Sequence, residues 1–180
     1  MSILNCYCYV FKPRDLKNYI LELIKKLSKL IVSIVVCEGV GLISVPLTIG
    51  SIPSWYSILH KPFFSPPNWI FGLVWTILYL MMGLSVYLVW TKGLKLKKVR
   101  VALLIFLVQL TFNLFWSIIF FGLRSPLFAL YDIILLWIAI VITLLNFYKI
   151  SKLSSYLLIP YLFWVTFAAI LNLSIVILNP

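Results

Sequence analysis

Residues 126–147 read PLFALYDIILLWIAIVITLLNF, and this stretch decides the fold. A membrane-spanning helix needs about 20 consecutive, mostly apolar residues. Asp132 is the only charged residue in the stretch, and apolar side chains would occupy every face of a helix built from it. A strand of a membrane barrel is shorter and alternates apolar with polar residues. The stretch therefore predicts an α-helix that crosses a lipid bilayer.

Four further stretches have the same character, namely residues 30–49, 69–90, 99–121 and 155–178. Over all 180 residues, 64% are hydrophobic and 11% are charged, and the mean hydropathy is +1.14. Soluble domains have about 45–50% apolar and about 25% charged residues, and a fold of this size has too little interior to hide the difference. The composition excludes a cytosolic enzyme, a disulfide-stapled secreted domain and a disordered tail. It predicts an all-α integral membrane protein, a bundle of five transmembrane helices.

Two regions are predicted: a basic amphipathic N-terminal extension, residues 1–29, and the five-helix transmembrane domain, residues 30–180. Apolar residues of the extension recur at helical spacing, opposite a basic face. They are Leu16, Tyr19, Ile20, Leu23, Ile24 and Leu27. The pattern fits a helix lying on the inner membrane surface, and it equally fits an early start of the first spanning helix. Cys6, Cys8 and Cys37 form no disulfide framework, and we interpret them as reduced thiols.

The basic residues predict the orientation of the bundle. The net charge is +11, and thirteen of the 15 Lys and Arg residues precede the first span or follow the second and fourth spans. The opposite side carries only Lys61 and Arg124. By the positive-inside rule, the N-terminus lies inside and the C-terminus outside. We expect a multi-pass protein of the cell membrane, or of the outer mitochondrial membrane if the host is eukaryotic, with no nucleic-acid partner.

The connection from Gly50 to Asn68 is long for a compact bundle, and long loops are usually functional lids or disordered. Four prolines stiffen this loop and four aromatic residues give it surface to bury. The prolines are Pro53, Pro62, Pro66 and Pro67, and the aromatic residues are Trp55, Tyr56, Phe63 and Phe64. We therefore predict a structured first loop, folded as a cap over the outer mouth of the bundle.

Two acidic residues lie inside predicted spans, where a charged carboxylate costs about 2.5–3.5 kcal/mol at mid-bilayer. Glu38 is near the middle of the first span. Two interpretations stay open for it: a neutral side chain hydrogen-bonded to a neighbouring helix, or a proton relay. Asp132 is close enough to the outer surface to pair with Arg124 or Lys61. We predict a salt bridge that, together with Pro62, locks the first loop in place.

Aromatic and polar residues recur on one face of three predicted spans. They are Trp75 and Tyr79 on the second, Gln109, Asn113 and Trp116 on the third, and Trp164, Ala168 and Asn172 on the fifth. Spacings of three and four residues place the members of each set on one helix face. The three faces predict an aromatic pocket between the helices. The alternative is ordinary packing or an aromatic belt at the membrane interface.

A long series of spaced motifs resembles the TspO/MBR family, the translocator proteins and tryptophan-rich sensory proteins. The first motifs are WYSILHKP at 55–62, PPNW at 66–69, VWTILY at 74–79 and Met82-Gly83. Gln109, Asn113 and Trp116-Ser117 follow, then FFGLR at 120–124 and ALYD at 129–132. The series ends with PYLFW at 160–164 and AAILN at 168–172. The resemblance covers some four-fifths of the chain, from about Cys37 to the C-terminus.

The resemblance implies a five-helix bundle whose pocket, under the first loop, binds tetrapyrroles and, in animal members, cholesterol and synthetic drug-like ligands. Carried over by position, the ligand-binding residues are Tyr56, Trp69, Trp75, Asn113, Trp116, Trp164, Ala168 and Leu171. Tyr79 and Gln109 join this predicted set because each shares a helix face with one of its members. In some bacterial members, two pocket tryptophans are implicated in light-dependent porphyrin breakdown, and the matching residues are Trp75 and Trp164.

Two features of the family are missing from the sequence. Animal members have a cholesterol-recognition pattern with a Tyr and an Arg in the last span, where residues 171–176 read LNLSIV. Family dimers often use small residues in the third span, where this chain has Leu104 and Val108. These departures weigh against sterol binding and against that mode of homodimer.

Three functions follow as alternatives. The first is a membrane protein that binds porphyrin or another hydrophobic small molecule as a sensor or carrier, with lipid as its surroundings. The second is an enzyme that degrades porphyrin in light through Trp75 and Trp164, and the third is a tetrapyrrole transporter, with Glu38 as its only intramembrane hint. The sequence contains no hydrolytic or metal-binding constellation, so the first alternative is favoured. It requires no cofactor and no metal site.

Overall fold

The computed structural model describes residues 13–180, with side chains from residue 16, so Cys6 and Cys8 lie outside the described residues. The helices are α1 (Pro13–Ser51), α2 (Asn68–Trp90), α3 (Lys97–Ser117), α4 (Pro126–Tyr148), α5 (Lys152–Leu157) and α6 (Ile159–Leu178). One π-helical turn, Ile52–Tyr56, extends α1, and another, Ile118–Gly122, extends α3. Helices and short connections make up the whole of this described part, which contains no strand.

Five helical segments are long and apolar enough to cross a membrane. Four of them correspond to α1, α2, α3 and α4, and the fifth joins α5 to α6 over residues 152–178. α5 and α6 are separated at Leu158, two residues before Pro160. The interruption falls there because proline has no N–H to donate and clashes with the preceding helical turn. The prediction of an all-α membrane protein with five spans is confirmed.

α1 is longer than a bilayer requires. Its 39 residues correspond to about 58 Å at 1.5 Å per residue, whereas the hydrocarbon core of a bilayer is about 30 Å thick. The helix runs unbroken through residues 16–30. Of the two alternatives for this segment, the structure therefore has the early start of the first helix. The Nζ of Lys29 lies 5.9 Å from the ring centre of Trp90, which joins α1 to the end of α2.

Glycines let α1 and α2 pack closely along the inner half of their contact. A Cβ atom at Gly83 would lie 2.8 Å from the Cα of Ile34, so no larger residue fits without moving α1. A Cβ atom at Gly41 would lie 2.6 Å from the ring of Tyr79. Small residues at helix contacts allow this close approach in membrane proteins. Further along the two helices, a Cβ atom added at Gly72 would have no other atom within 4 Å.

The first loop is shorter than the sequence indicates, because helical structure continues from α1 through Ile58 and leaves residues 59–67 as the connection. The side chain of Asn179 clamps this connection. Its Oδ1 accepts a hydrogen bond from the His60 N–H at 2.9 Å, and its Nδ2 donates to the His60 carbonyl at 2.9 Å. Phe64 packs edge-on against Phe167. The expectation that Phe63 is buried was wrong, because its side chain is fully exposed.

Candidate ligand-binding cleft

The main cavity lies between α1, α2 and the outer end of α3, and its volume is about 360 Å³. Six aromatic side chains form much of its wall: Tyr56, Trp69, Phe71, Trp75, Tyr79 and Trp116, with Phe121 beside them at the end of α3. Leu42, Val45 and Ile49 of α1 form the facing aliphatic side. Small-molecule sites typically occupy about 300–1,000 Å³ and are mostly apolar with few polar groups. The cavity has the size and composition of such a site.

The cavity is a cleft that opens through the side of the bundle. Leu42 and Ile49 of α1 and Trp69 of α2 line it, yet each has about two-thirds of its surface exposed. Gly72 and Thr76 also line the cleft from the exposed side of α2. At Gly72 an added Cβ atom would meet no other atom within 4 Å, so the space beside this residue is open. In a membrane this opening faces the lipid.

Stacked aromatic rings build the inner wall of the cleft. Trp75 and Tyr79 are one helical turn apart on α2, and their rings stack with centres 5.5 Å apart and planes at 30°. Trp116 of α3 stacks on Phe120 at 5.2 Å. Stacked and edge-on aromatic pairs contribute about 0.5–1.5 kcal/mol beyond the burial of their surface. The wall is therefore a rigid aromatic surface.

A hydrogen-bonded bridge holds Tyr79 from behind. The Tyr79 hydroxyl donates to Oδ1 of Asn113 on α3, and Nδ2 of Asn113 donates to the Tyr161 hydroxyl on α6 at 3.1 Å. All three side chains are buried. The sequence analysis predicted Asn113 as a binding residue. In the structure Asn113 does not line the cleft, but it fixes the orientation of Tyr79, which does.

A second bridge fixes Trp116. Its Nε1 donates to Oδ1 of Asn172 on α6 at 3.1 Å, and Nδ2 of Asn172 donates to the carbonyl of Pro126 at 2.8 Å. This bridge ties α3, α6 and the start of α4 together around the tryptophan. Buried polar groups that are all paired rigidify a core. Both asparagines are therefore part of the scaffold of the cleft.

The predicted binding residues Ala168 and Leu171 lie on the far side of Trp116. They line a separate void of about 20 Å³, which also touches Tyr56 and Asn172. This volume is about that of one ordered water molecule. The predicted set is thus divided, with Tyr56, Trp69, Trp75, Tyr79 and Trp116 in the cleft and Ala168 and Leu171 behind it.

Gln109 and Trp164 line neither cavity, and their contact with a ligand stays a prediction. Gln109 is buried, and its amide nitrogen lies 3.9 Å from the sulfur of Met82. Trp164 packs against Phe71 with ring centres 6.0 Å apart. Spacing places Gln109 on the same face of α3 as Trp116, but of these two residues only Trp116 reaches the cleft.

The salt bridge predicted to lock the first loop is absent. The Lys61 Nζ lies over the ring of Tyr56 at 4.4 Å, and Lys25–Glu22 is the ion pair formed within the described residues. Asp132 is buried in α4, and its Oδ2 has no hydrogen-bond partner. Arg124 occupies a left-handed turn with φ of 54°. The side-chain hydrogen bonds that hold this loop come from Asn179 instead.

Several lining residues were not among the predicted binding residues. They are Gly41, Ser44, Thr48, Asn68, Gly72, Thr76 and Ser117. The hydroxyls of Ser44, Thr48 and Thr76 donate to carbonyls of their own helices. Glu38 also lines the cleft, and within the described residues it makes no side-chain hydrogen bond to a neighbouring helix and no ion pair. A glycine between aromatic residues on one helix, as at Phe71, Gly72 and Trp75, is the sequence signal that could have indicated the cleft.

The fold and the cleft together define a multi-pass membrane protein with a side-opening aromatic site. The sequence profile of the TspO/MBR family matches residues 33–178, and the chain belongs to this family. It is 46% identical to the tryptophan-rich protein TspO of Chlorobaculum tepidum over 156 residues, covering 87% of this chain and 99% of that protein. It is 43% identical to the TspO of Archaeoglobus fulgidus, covering 84% and 97% of the two chains. It is 42% identical to the human translocator protein, and the match covers 66% of this chain and 70% of the human protein.

Proposed function

We propose that the protein binds a flat, hydrophobic molecule of the tetrapyrrole class in the cleft between α1 and α2, as a sensor or carrier. The observation that carries this proposal is the stacked wall of Trp75 and Tyr79 facing a cavity of about 360 Å³. Aromatic rings favour offset stacking on other flat rings. The relatives named tryptophan-rich sensory protein and translocator protein support a role in sensing or moving a ligand.

The volume of the cleft sets how such a ligand lies. It is near the lower end of the range for small-molecule sites, so a macrocycle places one edge against Trp75 and leaves the other in the side opening. The exposed lining residues Leu42 and Ile49 then cover the protruding part together with lipid.

Lys61 supports a ligand that carries carboxylates. Its ammonium lies over the ring of Tyr56, which is itself a lining residue at the outer end of the cleft. Lys61 forms no ion pair with any described residue. Acidic groups of a bound porphyrin would therefore point outward, where Lys61 and water stabilise their charge.

The enzymatic alternative, light-dependent porphyrin breakdown, requires both Trp75 and Trp164 beside the ligand. Only Trp75 lines the cleft, while Trp164 lies behind Phe71. Reversible binding needs Trp75 alone, and the geometry supports that function better.

We also propose that the N-terminus lies inside the cell membrane and the C-terminus outside. Trp90 and Lys29 meet at one end of the bundle, where tryptophan and lysine are typical of a membrane interface, and the excess of basic residues on this side favours the inner face. A reporter enzyme that is active only outside the membrane, fused after Pro180, should be active. Its inactivity would reverse the orientation.

Titration of tryptophan fluorescence with protoporphyrin IX, in detergent and in the dark, tests the proposed function. The wild-type protein should show saturable quenching. Trp75→Leu should weaken the affinity about fivefold, since it removes a stacked aromatic pair that contributes about 1 kcal/mol, whereas Trp164→Leu should leave it unchanged. Absence of saturable quenching, or equal effects of the two substitutions, would contradict binding in this cleft.

A further inference from the structure

Glu38 is the one lining residue whose chemistry the proposed function leaves unused. Its side chain is half-buried at the inner end of the cleft. Every other residue that lines the described cleft is uncharged. An acidic residue at membrane depth usually pairs with another group and marks a functional site.

No cation of the described protein lies beside Glu38. Lys29, on the same helix, is nine residues away, which is about 13 Å of helix rise, and it packs on Trp90 instead. Lys61 is at the opposite end of the cleft, over Tyr56. The hydroxyls of Ser44 and Thr48 donate to backbone carbonyls of α1. The carboxyl group of Glu38 is thus left as an acceptor for something in the cleft.

Aromatic side chains line the same cleft as this carboxyl group. Gly41, one turn after Glu38, brings α1 against the ring of Tyr79, and Tyr79 stacks on Trp75. Aromatic faces attract cations, and the attraction grows where water is excluded. A carboxylate beside aromatic faces is the combination that recognises an ammonium group.

We propose that Glu38 is a specificity-determining residue of the cleft, where it accepts a hydrogen bond from a protonated amine at the inner edge of a flat aromatic ligand. The proposal shares the cleft with the proposed function but goes beyond the tetrapyrrole class, because the nitrogens of a tetrapyrrole lie at the centre of the macrocycle and its edge carries no amine. Lys61 at the outer end and Glu38 at the inner end give the cleft opposite charges. The bound molecule therefore has a donor nitrogen inside and any acidic group outside.

Two matched fluorescent probes test the inference: pyrenylmethylamine, which carries an ammonium group, and methylpyrene, which does not. Energy transfer from the seven tryptophans to pyrene measures binding to the full chain in uncharged phosphatidylcholine nanodiscs. The wild-type protein should bind the amine at least about tenfold more tightly, since a hydrogen bond to a charged group contributes about that factor. Glu38→Gln should bring the ratio of the two affinities to about one without changing the affinity for methylpyrene, which also shows that the variant is folded.

Glu22→Gln is the matched control, because Glu22 lies on the same helix outside the cleft and pairs with Lys25. It should keep the wild-type preference. Equal affinity of the wild-type protein for the two probes, or a preference that survives Glu38→Gln, overturns the role of Glu38 and leaves the aromatic cleft standing. Failure of both probes to bind overturns the inference, whereas the proposed function is tested separately by the titration with protoporphyrin IX.

Discussion

Two regions of the bundle contain similar polar residues in different roles. The first is the contact of α3 with α4 and α6, and the second is the cleft between α1 and α2. In the first region, Asn113 and Asn172 bridge neighbouring helices through paired hydrogen bonds. In the second, Glu38 has no such partner, and Gly72 leaves space where the helices could have closed. The asparagine bridges of the first region hold the fold together, although Oε1 of Gln109 and Oδ2 of Asp132 have no partner there. In the second region, an unfilled space beside Gly72 and a lining carboxyl group form the site.

The largest expected effect tests the scaffold side of this comparison. Asn113→Ala leaves the hydroxyls of Tyr79 and Tyr161 without their shared partner. Each buried unpaired group costs about 1–3 kcal/mol, so the free energy of unfolding should fall by about 3 kcal/mol. Thermal unfolding in detergent measures it. Asn146→Ala is the control, because Asn146 donates only to its own helix, and an equal loss in both variants would show that the bridge is not structural.

The next effect compares two glycines of α2. Gly83→Ala places a Cβ atom 2.8 Å from the Cα of Ile34, and overpacking of this kind costs about 1–3 kcal/mol. Gly72→Ala meets no atom and should gain up to about 1 kcal/mol from its better helix propensity. The melting temperatures should therefore move in opposite directions. If both melting temperatures move in the same direction, the α1–α2 contact is not closed at Gly83 and open at Gly72 as described here.

A smaller effect concerns the loop over the cleft. Asn179→Ala removes both hydrogen bonds to His60 and should destabilise the connection at residues 59–67 by about 1 kcal/mol. Hydrogen exchange of the amides in this connection should accelerate, while α4 keeps its protection. Unchanged exchange would mean that packing of Phe64 on Phe167 suffices to hold the loop.

The smallest effect tests the outer end of the cleft. Lys61→Met keeps an apolar side chain against Tyr56 but removes the charge. A partly exposed ion pair contributes about 0.2–1 kcal/mol, so the affinity for protoporphyrin IX should fall about two- to fivefold, and added salt should diminish the difference. Lys95→Met, on the opposite side of the membrane, should have no effect. A similar loss in both variants would attribute the effect to net charge.

The helices were predictable because a membrane-spanning helix needs about 20 apolar residues in a row, and residues 126–147 meet this requirement. The aromatic half of the site was also predictable, since Trp75, Tyr79 and Trp116 all reach the cleft. Gln109 and Trp164 do not line the cleft, and the sequence could not show this because periodicity assigns a helix face without showing which neighbour it meets. That information depends on how closely helices approach.

Long-range partners were the other limit. Asp132 is near Arg124 in sequence, which favoured a salt bridge, but the turn into α4 buries the carboxyl group away from the arginine. The loop is held instead by Asn179, which lies 119 residues beyond His60 along the chain. No local sequence pattern predicts this contact, because the contact depends on where α6 ends relative to the first loop.

Gly72→Leu is the most direct test that the ligand lies between α1 and α2. Leucine favours a helix more than glycine does, and Gly72 lines the cleft at a position where an added Cβ atom meets no other atom within 4 Å. Gly50→Leu is the matched control, an exposed glycine of α1 with equally free surroundings that does not line the cleft. In titrations with protoporphyrin IX, Gly72→Leu should abolish saturable binding while Gly50→Leu binds as the wild type does. Undiminished binding by a folded Gly72→Leu protein would contradict the account.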